Sequence, residues 1–430
     1  MEQNEKGKVY NTAANYKRVL QSDPLLQGAV RKNLLTERID IVKPLGWYRD
    51  SPTLTDVDVK YLLLYFEEHY GLTVEKKIID AVTVVANENR YHPVCDFLNA
   101  LQWDGTERIR FCLHHFLGSD TDDYTYEALK LFLLGAISRA FQPGCKFEVM
   151  LCLVGGQGAG KSTFFRLLAV NDDWFSDDLK KLDDENVYRK LQGHWIIEMS
   201  EMIATANAKS IEEIKSFLSR QKETYKVPYE THPADRLRQC VFGGTTNRQD
   251  FLPRDRTGNR RFLPVTVYPE RAEVHILDDE AAARAYIEQM WAEAMTVYRS
   301  GKYKLSFSME MNRYLNAHQQ DFMQEDTQAG MIYAYLEDYT GDRVCSKQLY
   351  EEALGNLNSP ADWETRAICE IMNTGIAGGI IQGWVAYKSP KRYKKYGSQK
   401  GWERVNQAPP EGDGFQEITE EEARQMELPF

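Results

Sequence analysis

The chain has 430 residues, 43% of them hydrophobic and 27% charged, with a formal net charge of −11, the balance of an ordinary soluble globular protein with room for two or three folding units. No apolar run reaches the length of a membrane span, and the first twenty residues (MEQNEKGKVYNTAANYKRVL) lack the apolar centre of a signal peptide. Seven scattered cysteines without Cys-x-x-Cys spacing argue for reduced thiols in a cytoplasm and against a disulfide framework or zinc site, while the acidic balance argues against a uniformly basic coat for nucleic acid.

Residues 1–30 are polar and turn helical towards their end. The stretch LLTERIDIVKPLGWYRD reads as a strand or turn around Pro44 and Gly46 with Trp47 as an apolar anchor, and Thr55, three residues before Asp58, opens a helix that runs to residue 70. A second helix covers residues 75–86. No chemistry stands out, so residues 1–90 read as a mostly helical scaffold, with recruitment or DNA contact as the alternative. His92 before Pro93 reads as a structural histidine, Trp103 to Thr106 as a turn, and residues 126–141 as an apolar helix packed on a central sheet.

The stretch 149–168 reads VMLCLVGGQGAGKSTFFRLL. An apolar run from Val149 to Val154 is a buried parallel strand; it breaks into Gly155, Gly156, Gln157, Gly158, Ala159 and Gly160, then continues through Lys161, Ser162 and Thr163 as a helix. The pattern G-x-x-x-x-G-K-[ST] is satisfied by Gly155, Gly160, Lys161 and Ser162. Glycines let backbone N–H groups turn inward around phosphate oxygens, and the helix N-terminus adds positive charge. Lys161 is placed for the β- and γ-phosphates of ATP, and the Ser162 hydroxyl for Mg²⁺.

Downstream, the aspartates Asp177, Asp178, Asp183 and Asp184 read as a solvated face. The short apolar strand WIIEMSE, residues 195–201, ends in acids. Glu198 and Glu201 are three apart and face opposite ways on an ideal strand. Glu201 lies at the C-terminal end, where ligands sit in open α/β sheets, and is preferred as the catalytic and Mg²⁺ carboxylate. Glu198 remains a second catalytic candidate or the partner of a basic side chain. An amphipathic helix over 211–222 leads to a strand-like piece, and the strand CVFGGTTN then offers Asn247 to orient an attacking water. Arg260 and Arg261 open a further strand; arginine stabilises charge on a transferring phosphoryl group, from its own chain or a neighbour.

Six blocks together resemble the virulence-associated protein E family of prophages and satellite mobile elements, relatives of superfamily 3 helicases: RYHPVCDFLNALQWDGTERI (90–109), PGCKFEVMLCLVGGQGAGKST (143–163), WIIEMSEM (195–202), IKSFLSRQKETYKVPY (214–229), RQCVFGGTTN (238–247) and TGNRRFLPV (257–265). The resemblance spans residues 90–300 and implies an α/β, AAA+-like P-loop ATPase core working as a ring, usually hexameric, in replication of mobile-element DNA. By motif position it implies Lys161 and Ser162 for phosphate and Mg²⁺, Glu201 as the Walker B acid, Asn247 as sensor, and Arg260 or Arg261 as finger. The acidic strand departs from the family's common Asp-Glu doublet, which leaves the division of roles between Glu198 and Glu201 open. No priming activity is carried over, because residues 1–90 hold no paired-carboxylate pattern. In superfamily 3 rings a hairpin before the sensor strand lines the pore; the matching stretch implies single-stranded DNA contact by Lys222, Tyr225 and Lys226.

Residues 281–299 form a helix on the core, and a further helical run covers 309–335. Two helices and a strand pair follow in an order resembling a winged helix. Its wing, KSPKRYKKYGSQKGW, interleaves Lys388, Lys391, Arg392, Lys394, Lys395 and Lys400 with Tyr393, Tyr396 and Trp402, the clearest basic patch for DNA. Residues 406–430 are polar and acidic and are expected to be disordered. Their end resembles a sliding-clamp peptide anchored by Gln425, Leu428 and Phe430, or the acidic tip of single-stranded-DNA-binding proteins; a chance terminus is the remaining alternative.

The expected organisation is residues 1–90 as a helical domain, 91–305 as ATPase core, 306–405 as a winged-helix-like domain and 406–430 as tail. The expected activity is an ATP- and Mg²⁺-dependent helicase or translocase on single-stranded or forked DNA, in a homo-oligomer without membrane contact. The alternative is an ATP-dependent switch or assembly factor that recruits replication or packaging partners without unwinding.

Overall fold

The computed structural model describes residues 1–179, 182, 187–200, 208–225, 234–252, 259–323 and 327–405. The chain divides into two compact units, residues 1–324 and 325–430.

The first unit opens with α1 (Ala13–Ser22), β1 (Val30–Asn33), β2 (Ile39–Ile41), α2 (Asp56–Tyr70), α3 (Glu75–Glu88) and β3 (Arg90–Tyr91). Tyr16, Leu62, Phe66, Ile78 and Val82 close a core of their own. The three strands form a small sheet in the order β2-β1-β3, so this region is less purely helical than its periodicity predicts. Helix α2 starts as the sequence predicts: Thr55 and Asp58 form a reciprocal capping box, and Gly71 ends the helix at φ 66°.

Helices α4 (Pro93–Ala100), α5 (Ile109–Leu117) and α6 (Asp123–Phe141) precede the central sheet. Its elements are β4 (Met150–Val154), α7 (Lys161–Leu168), β5 (Phe175–Ser176), α8 (Val187–Leu191), β6 (Ile196–Ser200), α9 (Ala208–Leu218), the hairpin β7 (Lys222–Tyr225) and β8 (Ala234–Leu237), β9 (Val241–Thr246), β10 (Phe262–Thr266) and α10 (Glu280–Arg299). Five strands pair in the order β10-β4-β9-β6-β5, and every neighbouring pair is parallel. Continuous apolar strands are what a parallel sheet covered on both faces requires. Alternation sorts their side chains: Leu151, Leu153, Ile196, Val241 and Val265 pack with residues of α6, α7 and α10, whereas Met150, Cys152, Ile197, Met199 and Phe242 pack with residues of α8 and α9.

Helix α11 (Met309–His318) closes this unit, with Leu315 inside its core. The continuous helical run expected over 309–335 is therefore broken, and its first part belongs with residues 1–324. Gln319 explains the tie: its buried amide donates to the carbonyls of Asn259 and Phe262, both at 2.7 Å.

The second unit contains α12 (Thr327–Asp338), β11 (Arg343–Cys345), α13 (Ser346–Gln348), α14 (Asp362–Ala377), β12 (Trp384–Ala386), the hairpin β13 (Lys391–Tyr393) and β14 (Gly397–Gln399), and β15 (Gly401–Arg404). An antiparallel sheet in the order β11-β15-β12 packs Trp384 and Trp402 against Ile332, Ile368 and Met372. Among the described residues no helix is long and apolar enough to cross a membrane.

Asp58 holds the entry to α2 together. It is buried, and it accepts hydrogen bonds from Trp47 and Arg49, both at 2.8 Å, as well as from Thr55. Burial works against its charge, yet these donors outweigh it and pull the carboxyl down to about 2. A depressed carboxylate contributes stability that is complete above the unfolded value of about 4 and is lost as pH falls through the folded value. Asp58→Asn is expected to lose roughly 1–3 kcal/mol at neutral pH. Urea melts of the two proteins should converge as pH falls from about 4 towards 2.

Candidate functional site

The loop after β4 is shaped by what cannot fit there. A Cβ on Gly155 would meet Val267 Cγ2 at 2.6 Å and its carbonyl oxygen at 2.7 Å. Gly158 and Gly160 hold φ values of 81° and 78°, a region only glycine enters freely. Together with Gly156, Gln157 and Ala159 they carry the chain from the strand into α7. No side chain among the described residues caps that helix, so its first N–H groups face the loop.

Lys161 is 7% exposed and folds back over this loop. Its ammonium donates to the carbonyls of Gly155 and Gly156, both at 2.7 Å, and to Asn247 Oδ1 at 3.0 Å. Asn247, just past β9, is thus brought to the lysine. Ser162 donates to Glu198 Oε1 at 2.7 Å, and Thr245 donates to the same oxygen at 2.5 Å. Thr163 follows on the first turn of α7.

Glu198 is the informative difference. The expectation set Glu201 as the preferred carboxylate and gave Glu198 a basic partner as one option; the structure gives Glu198 two hydroxyl partners instead. Glu201 lies outside the described residues. The parallel register explains the geometry. Glu198 pairs with Gly243 and Ser200 with Thr245, so Glu198 and Thr245 share the face that receives α7. Burial pushes the Glu198 carboxyl above its ordinary value, against the pull of the Ser162 and Thr245 hydrogen bonds.

Arg260 and Arg261 sit elsewhere. They precede β10, whose Phe262 pairs with Met150 at the start of β4. Roughly 13 Å of strand therefore separates them from the loop of their own chain. Arg261 donates to Ser219 Oγ at 3.0 Å and lies 3.2 Å from Glu148 Oε2. Arg260, its side chain 66% exposed, approaches Glu148 Oε1 at 3.5 Å. Burial would raise the Glu148 carboxyl, but Ser219 and the neighbouring cations hold it below its ordinary value. Sequence reasoning missed Glu148, whose only signal is its place one residue before the apolar run.

The residues expected to touch DNA are partly engaged within the chain. Lys222 pairs with Asp235 across the β7–β8 hairpin, Tyr225 lies opposite Ala234 in that ladder, and Lys226 falls outside the described residues. In the second unit Arg392 and Lys394 are exposed, whereas Lys391 pairs with Glu403 and Lys395 with Glu351. The interleaved aromatics do not form an outward platform. Trp402 is on the central strand of its sheet, buried, with Nε1 donating to Asn373 at 2.9 Å; Tyr396 is buried and donates to Glu352 at 2.7 Å. Gln425, Leu428 and Phe430 lie outside the described residues.

A mixed α/β protein with a five-stranded parallel sheet and a glycine loop over its C-terminal edge is thus defined. The virulence-associated protein E-like domain matches residues 98–324, more than half of the chain, and the protein belongs to that family. Among solved structures, the apo structure of the NrS-1 C-terminal region (305–718) is similar over 92% of this chain and 100% of that one, at 12% identity and a TM-score of 0.49. An A-form apo structure of the same region is similar over 90% of this chain and 98% of that one, at 14% identity and a TM-score of 0.47. No curated protein shows significant similarity to the chain.

Gly243 lets α7 lie close to the sheet: a Cβ there would meet the Phe165 ring at 2.4 Å. Gly243→Ala is expected to lose about 1–3 kcal/mol through overpacking, read as a lower urea midpoint with an unchanged slope.

Proposed function

We propose that the protein hydrolyses ATP with Mg²⁺ as a ring-forming motor on phage or mobile-element DNA, built on an AAA+-like P-loop core. The observation that carries this reading is the gathering of Lys161, Ser162, Glu198 and Asn247 at one edge of the sheet. The strand order supports it, because the glycine-loop strand β4 lies between β10 and β9, with the acid-bearing β6 on the far side of β9. Loop N–H groups and the α7 N-terminus bind the phosphates of ATP. Lys161 exchanges its present carbonyl partners for phosphate oxygens, keeping Asn247 beside the terminal phosphate to orient water. The donor set fits Mg²⁺: a serine hydroxyl with a buried carboxylate behind it. When bound, Mg²⁺ is held on the Ser162 side and supplies charge neutralisation at the β- and γ-phosphates.

Arg260 and Arg261 are too far from their own loop to act there, which supports their acting on the nucleotide of a neighbouring subunit. The winged-helix-like order of the second unit, with Arg392 and Lys394 exposed on its hairpin, supports DNA contact. One observation favours a second reading, an ATP-dependent switch or assembly factor. Lys222, Lys391 and Lys395 already have carboxylate partners, and Tyr396 and Trp402 turn inward.

Lys161→Ala is expected to lower ATPase about a hundredfold or more. The wild type is expected to displace a strand from forked DNA, and ATPase without displacement would favour the switch. Arg261→Ala is expected to be as inactive as Lys161→Ala. Mixing the two inactive proteins should restore measurable ATPase, since mixed rings contain sites with an intact lysine facing an intact arginine.

A further inference from the structure

Two hydroxyls share one carboxylate oxygen at the candidate site, and only one of them belongs to the glycine-loop motif. Glu198 Oε1 accepts from Ser162 at 2.7 Å and from Thr245 at 2.5 Å. Glu198 is 1% exposed and Thr245 is 4% exposed, so the Thr245 bond is shielded from bulk solvent, whereas Ser162 is exposed on the loop side. A carboxylate in this setting is an acceptor only, so each hydroxyl directs its single proton to it. Ser162 is thereby left with its lone pairs turned away from Glu198, the orientation a cation needs.

We infer that Thr245 is a positioning residue, whose hydroxyl locks the Glu198 carboxylate and, through it, sets the Ser162 oxygen for a Mg²⁺·nucleotide. This rests on the nucleotide-binding reading proposed above.

Glutamate carries one more rotatable bond than aspartate, so a strand glutamate needs more restraint to present a fixed oxygen. The neighbouring strand supplies it from one side only. Directly opposite Glu198 stands Gly243, whose missing side chain is replaced by the Phe165 ring of α7. An apolar ring offers the carboxylate no donor. Among the described residues Ser162 and Thr245 are the side chains that hydrogen-bond Glu198. Thr246 cannot substitute, because successive residues point to opposite faces; its hydroxyl instead accepts from the Arg248 N–H at 3.1 Å. Groups that orient a metal ligand from behind typically change affinity or activity by about 10–100-fold when removed.

The test measures binding of a fluorescent ADP analogue to the full chain, in Mg²⁺ and in EDTA, alongside steady-state ATPase. Thr245→Val keeps the shape and removes the donor. It should cut the Mg²⁺-dependent gain in affinity by about tenfold and raise the half-saturating Mg²⁺ for ATPase, with EDTA affinity unchanged. Thr245→Ser restores the donor and should match the wild type. If Thr245→Val does not fold, Thr245→Ala should show the same loss. An unchanged Mg²⁺ gain in the valine variant overturns the inference while leaving the nucleotide site standing. So does an equal loss in the serine variant, or a loss shared equally by the EDTA measurement. A wild type that binds the analogue no better with Mg²⁺ overturns the metal assignment and this inference together.

Discussion

The parallel register of β4, β9 and β6 is the constraint on which the loop edge depends. It sets Glu198 beside Gly243 on one flank and Leu151 beside Gly243 on the other. With no side chain at that central position, Phe165 drops onto the sheet and brings the start of α7 over the strand ends. Ser162 then lands on Glu198, and Lys161 reaches back to Asn247. One missing Cβ therefore decides how near the helix comes, and the helix decides which acid the serine meets. Arg139 secures the opposite end of the same strands. Its buried guanidinium donates to the carbonyls of Cys240 and Phe147, ahead of β9 and β4. Burial pulls it down to about 10, still well above neutrality, so it remains a charged double donor.

The N-terminal region is braced against that same opposite end. Gly193 donates to the Leu35 carbonyl at 3.2 Å, and Gln239 donates to the Leu34 carbonyl at 2.8 Å. His92, whose Nδ1 caps α4, meets Gln239 at 2.7 Å through Nε2. Glu37 adds an ion pair to Arg236 on β8, at 2.9 Å. The loop after β1 thus holds the segments that enter β6 and β9 and the return strand of the hairpin. His92 belongs to this bracing, as a structural histidine in an X-Pro turn should.

The glycine loop, the α2 capping box and the apolar strands were legible because each is written in a few consecutive residues. The roles of the acids were not, because they depend on register between strands. Glu198 and Thr245 are 47 residues apart, a separation that no local pattern spans. Position along β6 favoured its far end, whereas register brings Glu198 to Ser162. The same limit applies to the basic stretch of the second unit. Alternating lysine and tyrosine reads as an exposed, aromatic-lined surface, but β15 is the central strand of its sheet and draws Trp402 inward. Tyr396 follows, drawn by Glu352. Sequence spacing predicted the charges and could not tell which side of the hairpin the rings would take.

The two ends of the sheet differ in a way that bears on assembly. One presents a lysine, a helix N-terminus and backbone N–H groups, all suited to an anion. The other presents two arginines held by Glu148 and, for Arg261, by Ser219 at the end of α9. On the proposed reading these ends meet between subunits, which is a head-to-tail contact that closes into a ring when the rotation allows. Glu148 then has a defined consequence. It holds the arginines in place before any neighbour arrives, which lowers the entropic cost of ordering them. On that reading Glu148 also competes with a neighbour's phosphates for the arginines. Through Ser219, which follows α9 and precedes the β7–β8 hairpin, Arg261 ties the entry of that hairpin to the start of β10.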